Sequence, residues 1–265
     1  MERWRGRTVL VTGASAGIGY AIAQTLCRSG MNVIGCARRS EKVQQLAASM
    51  KGTSGAGSMT ALKCDFYKEE EILAMFEEIE VKFKHVDILV NNAGLGHADD
   101  LITGRTDKWK QMLDVNIMAL SICTREALRL MRNAGVDDGH VINLNSTAGH
   151  SVGSSPVSHF YTGTKHMVTA LTKALNSELR QRKSKIRVTS LSPGIVDTEF
   201  ADVRKAASDQ QNEDTKKHLE QFHAYRDSVQ PLTSQDIADA VLYIVGVPPH
   251  VNIRELTLAP TDQAV

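Results

Sequence analysis

The sequence has no dominant charge, no long apolar run and no paired cysteines, and each lack removes a class of function. Its 265 residues carry 31 Lys and Arg against 30 Asp and Glu, a formal net charge of +1, with no block of one sign. Nucleic acids and anionic membrane surfaces are bound through concentrated basic residues, so neither partner has compositional support. No stretch approaches the roughly 20 apolar residues that span a bilayer, and Met1 to Arg7 enter the first apolar run without a signal-like segment. The four cysteines, Cys27, Cys36, Cys64 and Cys123, are dispersed and show neither C-x-x-C pairing nor zinc-ligand spacing. They read as free, mostly buried thiols of a reducing compartment, which predicts a cytoplasmic protein. Nine histidines include no H-x-x-x-H or H-E-x-x-H arrangement, so no metal site is expected.

A long Pro/Ser linker and an internal repeat are also missing. With 42% hydrophobic residues the chain can bury one sizeable core, and residues 1–265 are expected to form a single domain. Strand-like runs occur at Thr8–Thr12, Asn32–Cys36, Met59–Cys64, Ile88–Asn91, His140–Asn145, Arg187–Ser192 and Glu255–Ala259. Helical patterns fill most gaps, at Tyr20–Arg28, Ser40–Met50, Lys68–Phe83, Thr106–Met131, Tyr161–Arg182 and Ser234–Gly246. Such alternation predicts an α/β fold: a Rossmann-like, doubly wound, parallel seven-stranded sheet with helices on both faces. One interval breaks the rhythm. Residues 195–231 are polar and charged with scattered apolar members, Phe200, Val203, Leu219, Phe222 and Tyr225. A long insertion after a strand's C-terminal end belongs where ligands bind in such sheets, so it is expected to form a partly helical lid over the substrate; a solvated helix pair is the competing reading.

Two local patterns carry chemistry. After the first strand, Gly13, Ser15, Ala16, Gly17, Ile18 and Gly19 form a glycine-rich turn that leads into a helix. Glycines let the backbone approach a pyrophosphate, and a helix N-terminus presents free N–H groups to it. The spacing is G-x-x-x-G-x-G, not G-x-G-x-x-G, and a tight turn without a ligand remains open on this motif alone. Further on, Tyr161 and Lys165 stand four residues apart at the start of a long helical pattern, which puts both on one face. A tyrosine of pKa about 10 is a poor base at neutral pH, but a fixed cation beside it stabilises the phenolate. Taken alone, such a pair is equally a surface ion-dipole contact.

These patterns occur together with Asn91-Asn92-Ala93-Gly94, Asn116, Ser146 and Pro193-Gly194, in the order and approximate spacing of the short-chain dehydrogenase/reductase family. The chain resembles that family over essentially its whole length. Residues at 36–39, 121–126, 136–140 and 259–263 further resemble the branch that holds dehydrogenase/reductase member 11 and the insect NADP-dependent farnesol dehydrogenases. The resemblance implies a catalytic tetrad of Asn116, Ser146, Tyr161 and Lys165. Tyr161 would be general acid in reduction and base in oxidation, with Lys165 lowering its pKa and binding the nicotinamide ribose. Ser146 would hold the substrate oxygen, making Ser146 and Tyr161 the substrate contacts, and Asn116 would position a water behind Lys165. Ser146 lies fifteen residues before Tyr161, slightly longer than the common family spacing, which predicts a loop at 150–157 bordering the substrate. The glycine turn, Asp65, Phe66, Asn92, Ala93, Gly94, Pro193, Gly194, Val196 and Thr198, with Tyr161 and Lys165, would line the cofactor.

Cofactor preference is read at the end of the second strand. An Asp or Glu there accepts from the ribose hydroxyls of NAD, whereas an arginine accommodates a 2′-phosphate. The chain reads Cys36-Ala37-Arg38-Arg39, with no acid before Glu41. NADP(H) is therefore expected, held by Arg38 with help from Arg39. Pocket walls are expected from Leu95 to His97, His150 to His159 and the lid, a mixture that suits a lipophilic alcohol or carbonyl. The resemblance implies a farnesol-type prenyl alcohol, with a steroid or other carbonyl reductase of broad specificity as the alternative. A non-catalytic NADPH-binding regulator would have lost part of the tetrad, and all four residues are present. Family members pair through the two long helices, which implies a homodimer or homotetramer; the C-terminal residues 260–265 are read as reaching a neighbouring subunit or pocket.

Overall fold

A computed structural model describes residues 1–200 and 213–263. Strands β1 (Thr8–Thr12), β2 (Asn32–Ala37), β3 (Met59–Lys63), β4 (Ile88–Asn91), β5 (His140–Leu144), β6 (Arg187–Pro193) and β7 (Glu255–Leu258) form one seven-stranded sheet in the order β3-β2-β1-β4-β5-β6-β7. Every pairing is parallel. The expected doubly wound α/β architecture is therefore present.

Side-chain alternation along the strands builds a core on each face. Val9 and Val11 of β1 and Ile88 and Val90 of β4 point to one side, where they meet α1 (Gly17–Arg28), α2 (Ser40–Met50) and α8 (Ser234–Gly246). Leu10 and Leu89 point to the other, against α3 (Glu69–Phe83), α5 (Leu120–Asn133) and α6 (His159–Gln181). Because β4, β5 and β6 are covered on both faces, all their residues are buried, the polar Asn91, His140, Asn143 and Arg187 included. The edge strand β7 instead alternates exposed and half-buried residues.

Between β1 and β4 the winding reverses direction. β1 to β3 spread outward on one side, and the chain then crosses back to lay β4 beside β1. The helices that follow these two strands diverge to opposite faces, which opens a crevice at their C-terminal ends.

The expected single helix over 106–131 is interrupted. α4 (Thr106–Leu113) is followed by a π-helical segment, Asp114–Ala119, before α5 begins. α6 starts two residues before Tyr161. Of the expected lid, residues 195–198 run irregularly from the end of β6, Glu199 and Phe200 begin a helical turn, and α7 (Glu213–Asp227) lies further on, while 201–212, with Val203, lie outside the described residues. Among the described residues no helix is long and apolar enough to cross a membrane, and no cluster of His, Cys, Asp and Glu could hold a metal ion. All four cysteines are free and buried.

Candidate active site

The glycine-rich turn is shaped by close backbone approach at the crevice. Gly13 adopts φ +70°, and a Cβ there would lie 2.9 Å from Asn92 Nδ2 and 3.0 Å from Ala93 Cα. At Gly19 a Cβ would overlap the same Asn92 amide and the Gly13 carbonyl. Asn92 needs that closeness: its amide donates to the carbonyls of Thr12 at 2.9 Å and Gly13 at 3.2 Å. The Thr12 hydroxyl accepts the N–H groups of Asn92 and Ala93, both at 3.0 Å. The ends of β1 and β4 are thus laced together at the reversal. Ala16 caps α1 without a side-chain bond, which leaves the first N–H groups of the helix open toward the crevice.

Beyond β2 the chain presents exposed Arg38 and Arg39. The Arg38 guanidinium lies over the Tyr67 ring, 5.7 Å from its centroid. Arg39 pairs with Glu199 at 3.0 Å, and Lys42 reaches the same carboxylate at 3.4 Å. Asp65 accepts the Tyr67 N–H at 3.2 Å. Phe66, expected to face the adenine, is instead 7% exposed and packs into the core against α3; an apolar ring gains more from that core than from an open crevice edge.

Across the reversal, β5 and α6 set the tetrad. Lys165 is buried, and its ammonium donates to the Leu144 carbonyl at 2.8 Å. Its Nζ stands 5.7 Å from the centre of the Tyr161 ring. Burial pushes the Lys165 pKa down from 10.5 to about 8. Two residues beyond Leu144, Ser146 opens a short 3-10 turn, Thr147–Gly149, and accepts the Ala148 N–H at 3.1 Å. Asn116 is 2% exposed in the π segment. Its carbonyl accepts the Leu95 N–H at 2.8 Å, and its amide donates to the Leu95 carbonyl at 2.9 Å and to Thr164 Oγ1 at 3.1 Å. Thr164 in turn donates to the Tyr161 carbonyl at 2.7 Å. Asn116 therefore ties the loop after β4 to the second turn of α6 directly, through three hydrogen bonds to two residues.

The segment 195–200 closes the crevice from the β6 side. Gly194 donates its N–H to Leu258 at 2.7 Å, and Ile195 donates to the Gln263 side chain at 2.8 Å. Gln263 also donates to Thr147 Oγ1 at 3.5 Å. Of the C-terminal segment expected to reach a neighbouring subunit or a pocket, Gln263 is anchored within its own chain, beside the crevice; Ala264 and Val265 lie outside the described residues. Val196 bridges to Leu232, and Asp197 donates to the Leu232 carbonyl at 2.8 Å. A Cβ on Gly17 would lie 3.2 Å from the Thr198 methyl. The Phe200 ring rests on Tyr161 with centroids 5.8 Å apart.

His150, expected in the substrate wall, turns the other way. Its Nε2 makes a 2.8 Å hydrogen bond with Ser192 Oγ, and its Nδ1 lies 3.5 Å from Glu255. Ala98, Val157 and Leu219 form a small buried apolar cluster, and Trp109 stacks on Phe160 with centroids 5.0 Å apart. Burial and the nearby Lys108 push the His97 imidazole below its ordinary pKa. The partners of His150, Glu199 and Gln263 carried no sequence signal, because each lies far along the chain.

A backbone cradle at the reversal of a parallel sheet, facing a buried lysine one helical turn from a tyrosine, defines a dinucleotide-dependent α/β oxidoreductase. The chain belongs to the short chain dehydrogenase family, whose model matches residues 7–212. It is 46% identical to dehydrogenase/reductase SDR family member 11 of Gallus gallus over 269 residues, covering 99% of each chain. It is 41% identical to the farnesol dehydrogenase of Aedes aegypti over 264 residues, again covering 99% of both. Among solved structures it is similar to the closed form of serine dehydrogenase complexed with NADP+, at 31% identity and TM-score 0.80, covering 97% of this chain and 96% of that one.

Proposed function

We propose that the protein is an NADP(H)-dependent oxidoreductase that interconverts a lipophilic alcohol and its carbonyl compound, a prenyl alcohol of the farnesol type before others. The carrying observation is the buried Lys165 ammonium beside the Tyr161 ring at the end of β5. The cofactor fits this chain: the first N–H groups of α1, left without a side-chain cap at Ala16, can receive a pyrophosphate, and the exposed Arg38 and Arg39 after β2 can receive a 2′-phosphate. When bound, the nicotinamide supplies or accepts the hydride.

The residues manage the proton and the geometry. Tyr161 gives a proton from its phenol oxygen to the substrate oxygen in reduction, and takes it in oxidation. Lys165 places a positive charge beside that phenol and favours its ionised form. Ser146 donates to the substrate oxygen as charge develops on it. Asn116 acts at one remove, fixing the loop at Leu95 and the α6 turn at Thr164. The apolar cluster of Ala98, Val157 and Leu219, contributed by segments expected to border the substrate, is consistent with a lipophilic one, and the similarity to a farnesol dehydrogenase supports a prenyl alcohol. Met118 and Met167 stay exposed on the π segment and α6, which supports a homo-oligomer formed through these helices.

The test follows absorbance at 340 nm with NADP or NADPH and a panel of farnesol, retinol, steroid alcohols, simple aldehydes and diketones, with Tyr161→Phe as control. Turnover of farnesol, reduced by about 10²- to 10⁴-fold in Y161F, is the expected result. Turnover confined to steroid or diketone members would replace the prenyl assignment. Activity that survives in Y161F would remove the proposed proton donor.

A further inference from the structure

Three consecutive residues of the strap after β6 each touch a different part of the crevice. Thr198 packs on Gly17 in the glycine turn, Glu199 pairs with Arg39 and Lys42, and the Phe200 ring lies on Tyr161. Of the two cations that Glu199 engages, Arg39 is one of the pair assigned to the 2′-phosphate and Lys42 stands beside it, and the next ring, Phe200, lies tilted against that of the proposed proton donor.

We propose that Glu199 is an internal stand-in for the 2′-phosphate: it latches the strap across the crevice, and a cofactor carrying that phosphate displaces it and frees Phe200 from Tyr161. The inference rests on the NADP(H) reading above.

Charge and geometry support the exchange. Arg38, Arg39 and Lys42 bring three positive charges to the end of β2, and Glu199 answers with one negative charge. A phosphomonoester brings a charge of about −1.5 to −2 and three strong acceptor oxygens, and guanidinium groups pair bidentately with phosphate. The latch itself is weak. Glu199 and Arg39 have side chains 53% and 54% exposed, and exposed ion pairs are screened and individually marginal. A contact of that kind holds the strap in place without blocking a more highly charged ligand.

The strap's other end is secured independently. Ile195 is held by Gln263, and Val196 and Asp197 by Leu232. Loss of the Glu199 contact therefore moves the distal residues 198–200 and leaves the root fixed. An alcohol or carbonyl compound can then reach Tyr161 after the phosphorylated cofactor has arrived, which imposes an order on binding and disfavours NAD, since NAD has no group to exchange for the carboxylate.

The experiment compares adenosine 2′,5′-bisphosphate with adenosine 5′-monophosphate, which differ only in the 2′-phosphate. Binding is measured by calorimetry on the full chain and on Glu199→Gln. Phe200→Trp, alone and combined with E199Q, reports strap position by its emission. Removal of the competing carboxylate should tighten the bisphosphate by up to about fivefold and leave the monophosphate unchanged. In F200W the bisphosphate should shift the emission and the monophosphate should not; in the double variant the shift should be present without ligand. Bisphosphate binding of equal strength in both chains, or an F200W signal that ignores it, overturns the latch while the cofactor assignment stands. Equal affinity for the two nucleotides in both chains overturns the 2′-phosphate assignment and the latch with it.

Discussion

The Lys165 ammonium donates to the main-chain carbonyl of Leu144 at 2.8 Å, so the cation of α6 is fixed to the end of β5, two residues before Ser146. One hydrogen bond thereby sets the position of the charge relative to both the Tyr161 ring and the Ser146 turn. The carbonyl is neutral, and the burial of the charge is only partly compensated.

That imbalance predicts a pH dependence of stability. The folded pKa of Lys165 is lowered from 10.5 to about 8, so between these values the unfolded chain binds more protons than the folded one. Stability from this group therefore rises with pH across that window, and its full cost is present below about pH 8. Lys165→Met should flatten this part of the curve and be at least as stable as the parent at pH 7, while losing turnover. Urea midpoints at pH 7, 8, 9 and 10 for both chains provide the check; parallel curves would contradict it.

Arg38 is the leading candidate for the cofactor's 2′-phosphate. Arg38→Asp should lower the preference for NADP over NAD by about 10- to 100-fold, the size of a lost charge-assisted contact. The quantity to measure is the ratio of kcat/KM for the two cofactors. An unchanged ratio would move the phosphate site away from β2.

Asn116 joins two elements through buried polar groups. Asn116→Ala leaves the Leu95 N–H and carbonyl without their partner, at a cost of about 1–3 kcal/mol. Thermal unfolding should show that loss, and hydrogen exchange should accelerate first at the Leu95 amide. Protection at Leu95 equal to the parent's would show that the loop is held by other contacts.

His150 closes the turn that Ser146 opens, and it ties that turn to Ser192 at 2.8 Å and to Glu255 at 3.5 Å. His150→Ala should lower kcat while leaving cofactor binding near the parent value, and His150→Gln, which can still reach Ser192, should recover part of the loss. Steady-state kinetics on both variants decide this. A change confined to the KM for cofactor would point to a different role.

Much of the fold was legible because its determinants are local. Thr8–Thr12 and Ile88–Asn91 are short, β-rich runs whose observed bounds match those read from the pattern. The glycine turn was legible because Gly13 and Gly17 take positive φ, which side chains disfavour. Phe66 was placed in the crevice and found in the core, since neighbours in sequence do not say which face of a loop turns inward.

By itself the sequence determined the alternation of strands and helices, the parallel sheet that follows from it, the glycine cradle and the Tyr161 and Lys165 spacing on one helix face. Each depends on residues within a turn or two of one another, where backbone geometry sets the outcome. Tertiary structure alone decided that Lys165 meets Leu144, that Asn116 sits in a π turn against Leu95, that Gln263 anchors Ile195 and that Glu199 reaches Arg39. Those contacts join segments separated by 21 to 160 positions, and they form only once the sheet has brought the ends of its strands to one crevice.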